Sequence, residues 1–251
     1  MKNSAIRKGA YWLRLHHDTY CSNISVIVSL PPATGSIVAE SDYGWQDAEW
    51  LEHRAQVDTT SEAMSIYEVH LGSWRWGRNY ADLATELVDY VADLGYTHVE
   101  FMPVSEHPFG GSWGYQVSGY YAPTSRWGTP DEFRELVAEA HRRGVKVIVD
   151  VVPHLNRRSS EVPDDCVVQC YDENGRLVAR ASTDGRYGSW NDGKLFNYRK
   201  FEVWEWLERS ITTLIERFDV DGIRFDSAHA VPIMMKKNNY PSVYGLSLIH
   251  I

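Results

Sequence analysis

An arginine and an aspartate two residues apart are the strongest candidates for chemistry in this chain. Arg224 and Asp226 lie in the run Gly222-Ile-Arg-Phe-Asp, where apolar residues alternate with them as in a β-strand. Side chains two apart on a strand point to the same face, so these charged groups are expected to be neighbours. An arginine favours the ionised form of a nearby carboxylate, and an ionised carboxylate can attack an anomeric carbon. A structural ion pair is the alternative that the spacing leaves open.

Further polar side chains follow the ends of other predicted strands. Asp150 ends a β-branched run and His154 comes four residues later, while His229 follows the strand that carries Asp226. Tyr115 lies in the loop run Ser112-Trp-Gly-Tyr-Gln, where the glycine permits close backbone approach and the tyrosine ring could stack on a sugar. A capping role for Asp150, a loop histidine at 154 and a packed Tyr115 are the alternatives.

Alternating strands and amphipathic helices are predicted to position these residues. This alternation is typical of parallel βαβ units, and the fold class is therefore predicted as α/β. Four units fit the first half of a (β/α)8 TIM barrel, whose chemistry lies at the carboxyl ends of the strands, or a doubly wound sheet. A dinucleotide-binding sheet is disfavoured, because no Gly-x-Gly-x-x-Gly turn follows the first strand. The predicted strands are 65–72, 98–104, 145–152 and 222–226, and the predicted helices are 81–94, 129–144 and 202–218.

Two regions depart from this alternation of strands and helices. Residues 1–62 are predicted to form a short β-rich N-terminal segment, since 24–32 resembles a strand ended by prolines and no helical pattern stands out. Residues 63–251 are assigned to the partial barrel. Within it, the polar and irregular stretch 153–195 is too long for a plain connection and predicts an inserted loop or subdomain after the third strand.

The composition limits the classes of binding partner and the cellular location that are expected. The net charge of −9 argues against nucleic acid or an anionic membrane as a partner. The three cysteines have no ordered spacing, which argues against a disulfide framework and predicts free thiols. An apolar signal region and a membrane-spanning run are both missing from the sequence, so a cytoplasmic location is expected. Neither a cofactor nor a metal is predicted.

Several motifs, in order, resemble the 1,4-α-glucan branching enzymes of the α-amylase superfamily. The match runs through about 65–152 and 196–228. The motifs are Ser65-Ile-Tyr-Glu-Val-His-Leu-Gly-Ser-Trp, Glu106-His-Pro-Phe, Ser112-Trp-Gly-Tyr-Gln, Gly119-Tyr-Tyr-Ala-Pro-Thr-Ser-Arg-Trp-Gly-Thr-Pro, Phe196-Asn-Tyr and Asp221-Gly-Ile-Arg-Phe-Asp.

The resemblance implies a retaining double displacement on α-1,4-glucan, which transfers the cleaved segment to a 6-hydroxyl and makes α-1,6 branches for glycogen biosynthesis. Asp226 would be the nucleophile, and Arg224 would orient it. The implied substrate-binding residues are Tyr115, Gln116, Asp150, His154 and His229.

The sequence also departs from the family pattern. The family places a histidine five residues after the aspartate of the third strand, but position 155 is Leu and His154 comes one residue early. Residues 157–194 do not match the family's insert. The family's general acid lies beyond residue 251, so these 251 residues alone are expected to be inactive.

Two alternatives remain at this point. Asp221-Gly-Ile-Arg-Phe-Asp-Ser-Ala-His-Ala also resembles α-glucan hydrolases and trehalose-related enzymes of the same superfamily, while Glu106-His-Pro-Phe and Gln116 favour branching. A non-catalytic glucan-binding protein that keeps half of the pocket is the alternative from another class.

Overall fold

The computed structural model describes residues 41–153, 196 and 200–226 in full, together with the backbone of short strands outside these ranges. The strands are β1 Ile24–Val28, β2 Ser36–Glu40, β3 Ile66–Val69, β4 His98–Phe101, β5 Ser105–Glu106, β6 Gly119–Pro123, β7 Lys146–Val151, β8 Leu155–Asn156, β9 Cys170–Tyr171, β10 Leu177–Val178, β11 Lys194–Leu195 and β12 Gly222–Phe225. The helices are α1 Ala48–Gln56, α2 Leu71–Trp74, α3 Tyr80–Asp93, α4 Pro130–Arg142 and α5 Phe201–Phe218.

A parallel sheet forms the centre of the fold, with strand order β12-β7-β4-β3. All its pairings are parallel, and each neighbouring pair is joined by a chain segment that contains a helix. The order follows the sequence without a reversal, as in a barrel wall and unlike a doubly wound sheet. The predicted α/β class and the four predicted barrel strands are confirmed, but Leu71 and Gly72 at the predicted end of the first strand lie in helix α2.

The apolar core lies between this sheet and the helices. Phe133, Leu136 and Val137 on α4 are fully buried, as are Val147 and Val149 on β7. Such a stripe at helical spacing facing a β-branched strand is what removes apolar surface from water in a βαβ unit. Among the helices of the described residues, none combines the length and apolar character needed to cross a bilayer.

Helix α4 begins as the sequence predicts. The Thr129 side chain accepts from the Glu132 backbone N–H, and the Glu132 carboxylate accepts from the Thr129 backbone N–H. Pro130 occupies the first turn, where its missing N–H costs no hydrogen bond. This reciprocal capping box starts the helix that leads into β7.

Helix α1 was not predicted, and its contacts explain why. It buries no side chain, so it carries no amphipathic pattern that a sequence search would detect. Arg54 instead forms ion pairs with Asp219 and Asp221 at 3.0 and 2.9 Å, and the Trp50 indole N–H donates to Asp221. Long-range polar contacts therefore hold this helix against the barrel wall.

The segments outside the barrel wall form antiparallel pairs. β1 pairs with β2, β8 with β11, and β9 with β10. The last two pairs lie within the predicted insertion at 153–195. The division into an N-terminal segment 1–62 and a barrel with this insertion stays a prediction.

Glu106 organises the loop between β4 and α4. Its carboxylate is buried and accepts from the backbone N–H of His107 and Ser125, the hydroxyls of Thr124 and Ser125, and the Arg126 guanidinium at 2.6 Å. A buried carboxylate is tolerated when its lone pairs are satisfied in this way. Two separated motifs of the sequence are thus joined at one carboxylate.

We expect Glu106→Gln to destabilise the chain by about 2–3 kcal/mol, because an amide leaves Arg126 without its anion and turns one acceptor into a donor. Urea unfolding followed by tryptophan fluorescence measures this change. Glu205→Gln, which breaks the surface pair with Arg209, is the control and should leave the midpoint unchanged. Equal effects of the two substitutions would contradict the organising role of Glu106.

Candidate active site

The register between β7 and β12 brings the predicted site residues together. Arg224 lies directly opposite Asp150 in the parallel ladder. Asp226 is the first residue after β12, and its backbone N–H donates to the Val151 carbonyl at 2.9 Å. The carboxyl ends of two neighbouring strands therefore place two carboxylates and one guanidinium at the same edge of the sheet.

Asp150 and Arg224 share a hydrogen-bonded cluster with Tyr115. The Tyr115 hydroxyl donates to Asp150 Oδ2 at 2.8 Å, and Arg224 Nη1 donates to the same oxygen. Arg224 Nη1 also lies 3.2 Å from the Tyr115 oxygen. The other oxygen of Asp150, Oδ1, is buried and has no hydrogen-bond partner in the described part of the chain. The site therefore holds an unused acceptor.

A strained turn carries Tyr115 to this position. Gly114 has φ +89°, and a Cβ there would lie 2.2 Å from the Pro103 carbonyl oxygen. Trp113 before it is left-handed with φ 56°, and its side chain is exposed. Only glycine fits between this turn and the backbone that follows β4, which confirms the close approach predicted from the motif.

Arg224 has a closer partner than the sequence predicted. The spacing suggested Asp226, and Arg224 Nη2 does lie 3.6 Å from Asp226 Oδ1. The direct hydrogen bond goes to Asp150, because the register puts this residue opposite while Asp226 lies beyond the end of β12. Arg224 thus lies between two carboxylates and supplies the positive charge that both require.

Burial and charge set the protonation of this cluster. Burial raises the pKa of Asp150 to about 6, even though Tyr115 and Arg224 stabilise its ionised form; the charge of Asp226 also raises it. Burial, with the hydrogen bond and charge of Asp150, raises the pKa of Tyr115, which stays a neutral donor. Burial opposes the charge of Arg224, but the contacts with Asp150 and Tyr115 outweigh it and raise the pKa of the guanidinium.

Sequence reasoning missed Glu100 on β4. Its Oε1 lies 3.8 Å from Arg224 Nε, and its side chain is mostly buried. Burial and the charge of Glu68 raise the pKa of Glu100, against the lowering effect of Arg224. A carboxylate inside the apolar run His98-Val-Glu-Phe was the available signal. A charged residue within an apolar strand indicates that its side chain, here that of Glu100, is directed away from the helices.

The remaining predicted site residues are only partly accounted for. Gln116 follows Tyr115 in the same loop and is half-buried. His154 and His229 lie outside the described residues. The structure therefore brings together Tyr115, Asp150, Arg224 and Asp226, and the roles of the other three stay predictions.

Comparison with known proteins identifies the family. Residues 77–167 match the model of the α-amylase catalytic domain. The chain is 53% identical over 235 residues to the 1,4-α-glucan branching enzyme GlgB of Corynebacterium efficiens, a match that covers 92% of this chain. The GlgB of Thermobifida fusca is 47% identical over 205 residues, or 81% of this chain. The chain belongs to the branching enzymes of the α-amylase superfamily.

The chain spans only part of the length of these relatives. The chain spans 31% of the length of the Corynebacterium efficiens branching enzyme and 26% of that from Thermobifida fusca. The solved maltogenic α-amylase AmyB of Thermotoga neapolitana superposes with a TM-score of 0.56 at 23% identity, over 70% of this chain and 42% of that one. This superposition supports the partial barrel.

We expect Tyr115→Phe to raise the pKa of Asp150 above about 6, because the lost hydroxyl is one of the donors that stabilise its ionised form. Carboxyl-carbon NMR over pH 4–8 measures the shift, and Tyr90→Phe, on the outer side of α3, is the matched control. An unchanged or lower pKa of Asp150 in Tyr115→Phe would contradict the cluster.

The same shift predicts a pH dependence of stability. Asp150 holds its proton in the folded chain at pH values where an unfolded aspartate has lost it, so the folded state binds more protons between pH ~4 and about 6. Its contribution to the free energy of unfolding is therefore full below ~4 and falls as the pH rises toward 6. Asp150→Asn should remove this part of the slope in urea unfolding measured across that range.

Proposed function

We propose that this chain supplies the nucleophile and part of the donor-sugar pocket of an enzyme that makes α-1,6 branches in α-1,4-glucan. The observation that carries the proposal is the cluster of Tyr115, Asp150, Arg224 and Asp226 at the carboxyl ends of β7 and β12. Its support comes from relatives named 1,4-α-glucan branching enzyme, among them those of Corynebacterium efficiens and Nocardia farcinica, which are 53% and 43% identical to the chain. Action on glycogen in the cytoplasm accords with this proposal.

Asp226 has the chemistry for the first displacement. Its carboxylate oxygen attacks the anomeric carbon and forms a glycosyl ester, while the bond from that carbon to the glycosidic oxygen breaks. Arg224 Nη2 lies 3.6 Å from Asp226 Oδ1 and restricts the orientation of the nucleophile. In the second displacement a glucan 6-hydroxyl attacks the same anomeric carbon and loses its proton to a base, while the bond from that carbon to the Asp226 oxygen breaks and releases the carboxylate.

Asp150 is suited to hold the reacting sugar. Its side chain is fully buried, and Oδ2 is used by Tyr115 and Arg224 while Oδ1 has no partner in the described part of the chain. A buried acceptor without a partner is costly unless a ligand supplies a donor, and sugar hydroxyls are such donors. The fixed position of Asp150 lets this hydrogen bond orient the anomeric carbon toward Asp226.

Retaining chemistry also needs a carboxyl group that protonates the leaving oxygen in the first step and removes the proton of the acceptor in the second. We assign this role to no described residue. Glu106 is fully engaged with its loop, and Glu100 lies at the guanidinium of Arg224. The experiment must therefore provide the remainder of a branching enzyme.

A chimeric enzyme provides the remainder of a branching enzyme. The 235 matching residues of the Corynebacterium efficiens branching enzyme are replaced by those of this chain, and new α-1,6 linkages in amylose are counted by debranching and chain-end analysis. We expect branching by the chimera and a loss of at least about 1,000-fold with Asp226→Asn, which cannot form the ester. Asp93→Asn, at an exposed surface pair, is the control and should retain activity.

The same assay separates the alternatives. Release of reducing ends without new branches would replace branching by hydrolysis. Binding of amylose that survives Asp226→Asn, with no turnover by the unmodified chimera, would support a glucan-binding role instead. Full branching by Asp226→Asn would overturn the assignment of the nucleophile.

A further inference from the structure

A second cluster of titratable groups lies at the opposite end of the sheet from the candidate active site. It consists of Asp47 directly before α1, His141 in the last turn of α4, and Asp219 between α5 and β12. Their nearest nitrogen and oxygen atoms all lie within 4.8 Å of one another. Asp47 and His141 are each more than nine-tenths buried, while Asp219 is partly exposed. Two of the three members of the cluster are thus buried and the third is near the surface.

Two buried atoms in this cluster face each other without partners. His141 Nδ1 and Asp47 Oδ2 make no hydrogen bond in the described part of the chain, and they lie 3.7 Å apart. That distance is too long for an N–H···O hydrogen bond. Two buried polar atoms left this way are costly, and a cation between them would satisfy both.

The contacts of Asp221 determine which imidazole nitrogen of His141 is available to a ligand. Asp221 Oδ2 lies 2.9 Å from His141 Nε2 and also accepts from the Val147 backbone N–H at 2.7 Å. A carboxylate only accepts, so Nε2 carries the proton and Nδ1 presents a bare lone pair in the neutral imidazole. A carboxylate behind a histidine is the arrangement that orients histidine ligands in metal sites. Trp50 stacks on the ring at 4.7 Å between centroids and restricts its rotation.

The charge of the cluster also calls for a cation. Three carboxylates, those of Asp47, Asp219 and Asp221, face the single guanidinium of Arg54, which bonds only the last two. Asp47 has no such cationic partner in the described part of the chain. A bound cation would offset the repulsion between the Asp47 and Asp219 carboxylates.

We propose that Asp47, His141 and Asp219 bind one divalent transition-metal cation, for which zinc is the best chemical match. One imidazole nitrogen and two carboxylate oxygens suit zinc, whereas calcium and magnesium prefer oxygen alone. Zinc lies about 2.1 Å from such ligands, and two of them at a tetrahedral angle are about 3.4 Å apart. The 3.7 Å between His141 Nδ1 and Asp47 Oδ2 is close to this spacing.

The ion would have a structural role. It would connect the residue before α1 to α4 and to the turn that leads into β12, and α1 itself buries no side chain. The amino ends of barrel strands contribute to stability, while chemistry occurs at the other end. This inference does not depend on the proposed function.

Asp47→Asn gives the sharpest test, because its effect should change sign with metal. The 251-residue chain, with its cysteines alkylated, is stripped with EDTA and titrated with ZnCl2 by calorimetry and thermal unfolding. We expect one zinc per chain and a higher melting temperature with zinc. In EDTA, Asp47→Asn should raise the melting temperature by removing a repelling charge. With zinc it should lose the stabilisation and bind about 100-fold more weakly.

Further variants and a second metal test whether zinc binds at this cluster. Asp219→Asn should weaken zinc binding to a similar extent, and Asp93→Asn at the surface should not change it. Cobalt in place of zinc should give visible absorption bands that Asp47→Asn removes. The proposal is overturned by an absence of zinc binding, by zinc affinity unchanged in both cluster variants, by a calcium-only response, or by a lower melting temperature of Asp47→Asn in EDTA.

Discussion

The parallel pairing of β7 with β12 is the interaction on which the candidate active site depends. It sets Arg224 opposite Asp150 and ties the Asp226 backbone to Val151 by a ladder hydrogen bond. A shift of this register by one residue would turn Arg224 to the face that packs on the helices, where a guanidinium has no partner. The apolar residues between the charged ones, Val149 and Ile223, face the core and hold the register.

The loop after β4 adds what the sheet alone does not supply. Tyr115 reaches Asp150 because the backbone turns sharply at Gly114, and the loop is fixed at its far end by the hydrogen bonds to Glu106. Both devices use buried polar groups whose partners come from distant parts of the chain. Hydrogen bonds in such a buried network are stronger than in water, and they restrict the conformations open to the loop.

The two ends of the sheet carry different arrangements of charged side chains. At the carboxyl ends, Arg224 lies between two carboxylates, and one buried oxygen of Asp150 is left for a ligand. At the amino ends, Asp221 is held by Arg54, Trp50, His141 and Val147, and it anchors the strand that carries Asp226. The run from Asp221 to Asp226 thus begins in a structural cluster and ends at the proposed nucleophile.

The sequence by itself determined the α/β class, the strands and helices of the barrel wall, the capping of α4 and the grouping of Asp150, Arg224 and Asp226, because periodicity, capping residues and strand ends are local signals. Only the tertiary structure decided that Arg224 bonds Asp150 more closely than Asp226, that Glu100 joins the site, and that α1 is a helix. It also decided that Asp47, His141 and Asp219 meet. These outcomes depend on strand register and on contacts between residues far apart in the chain, and neither leaves a local pattern in the sequence.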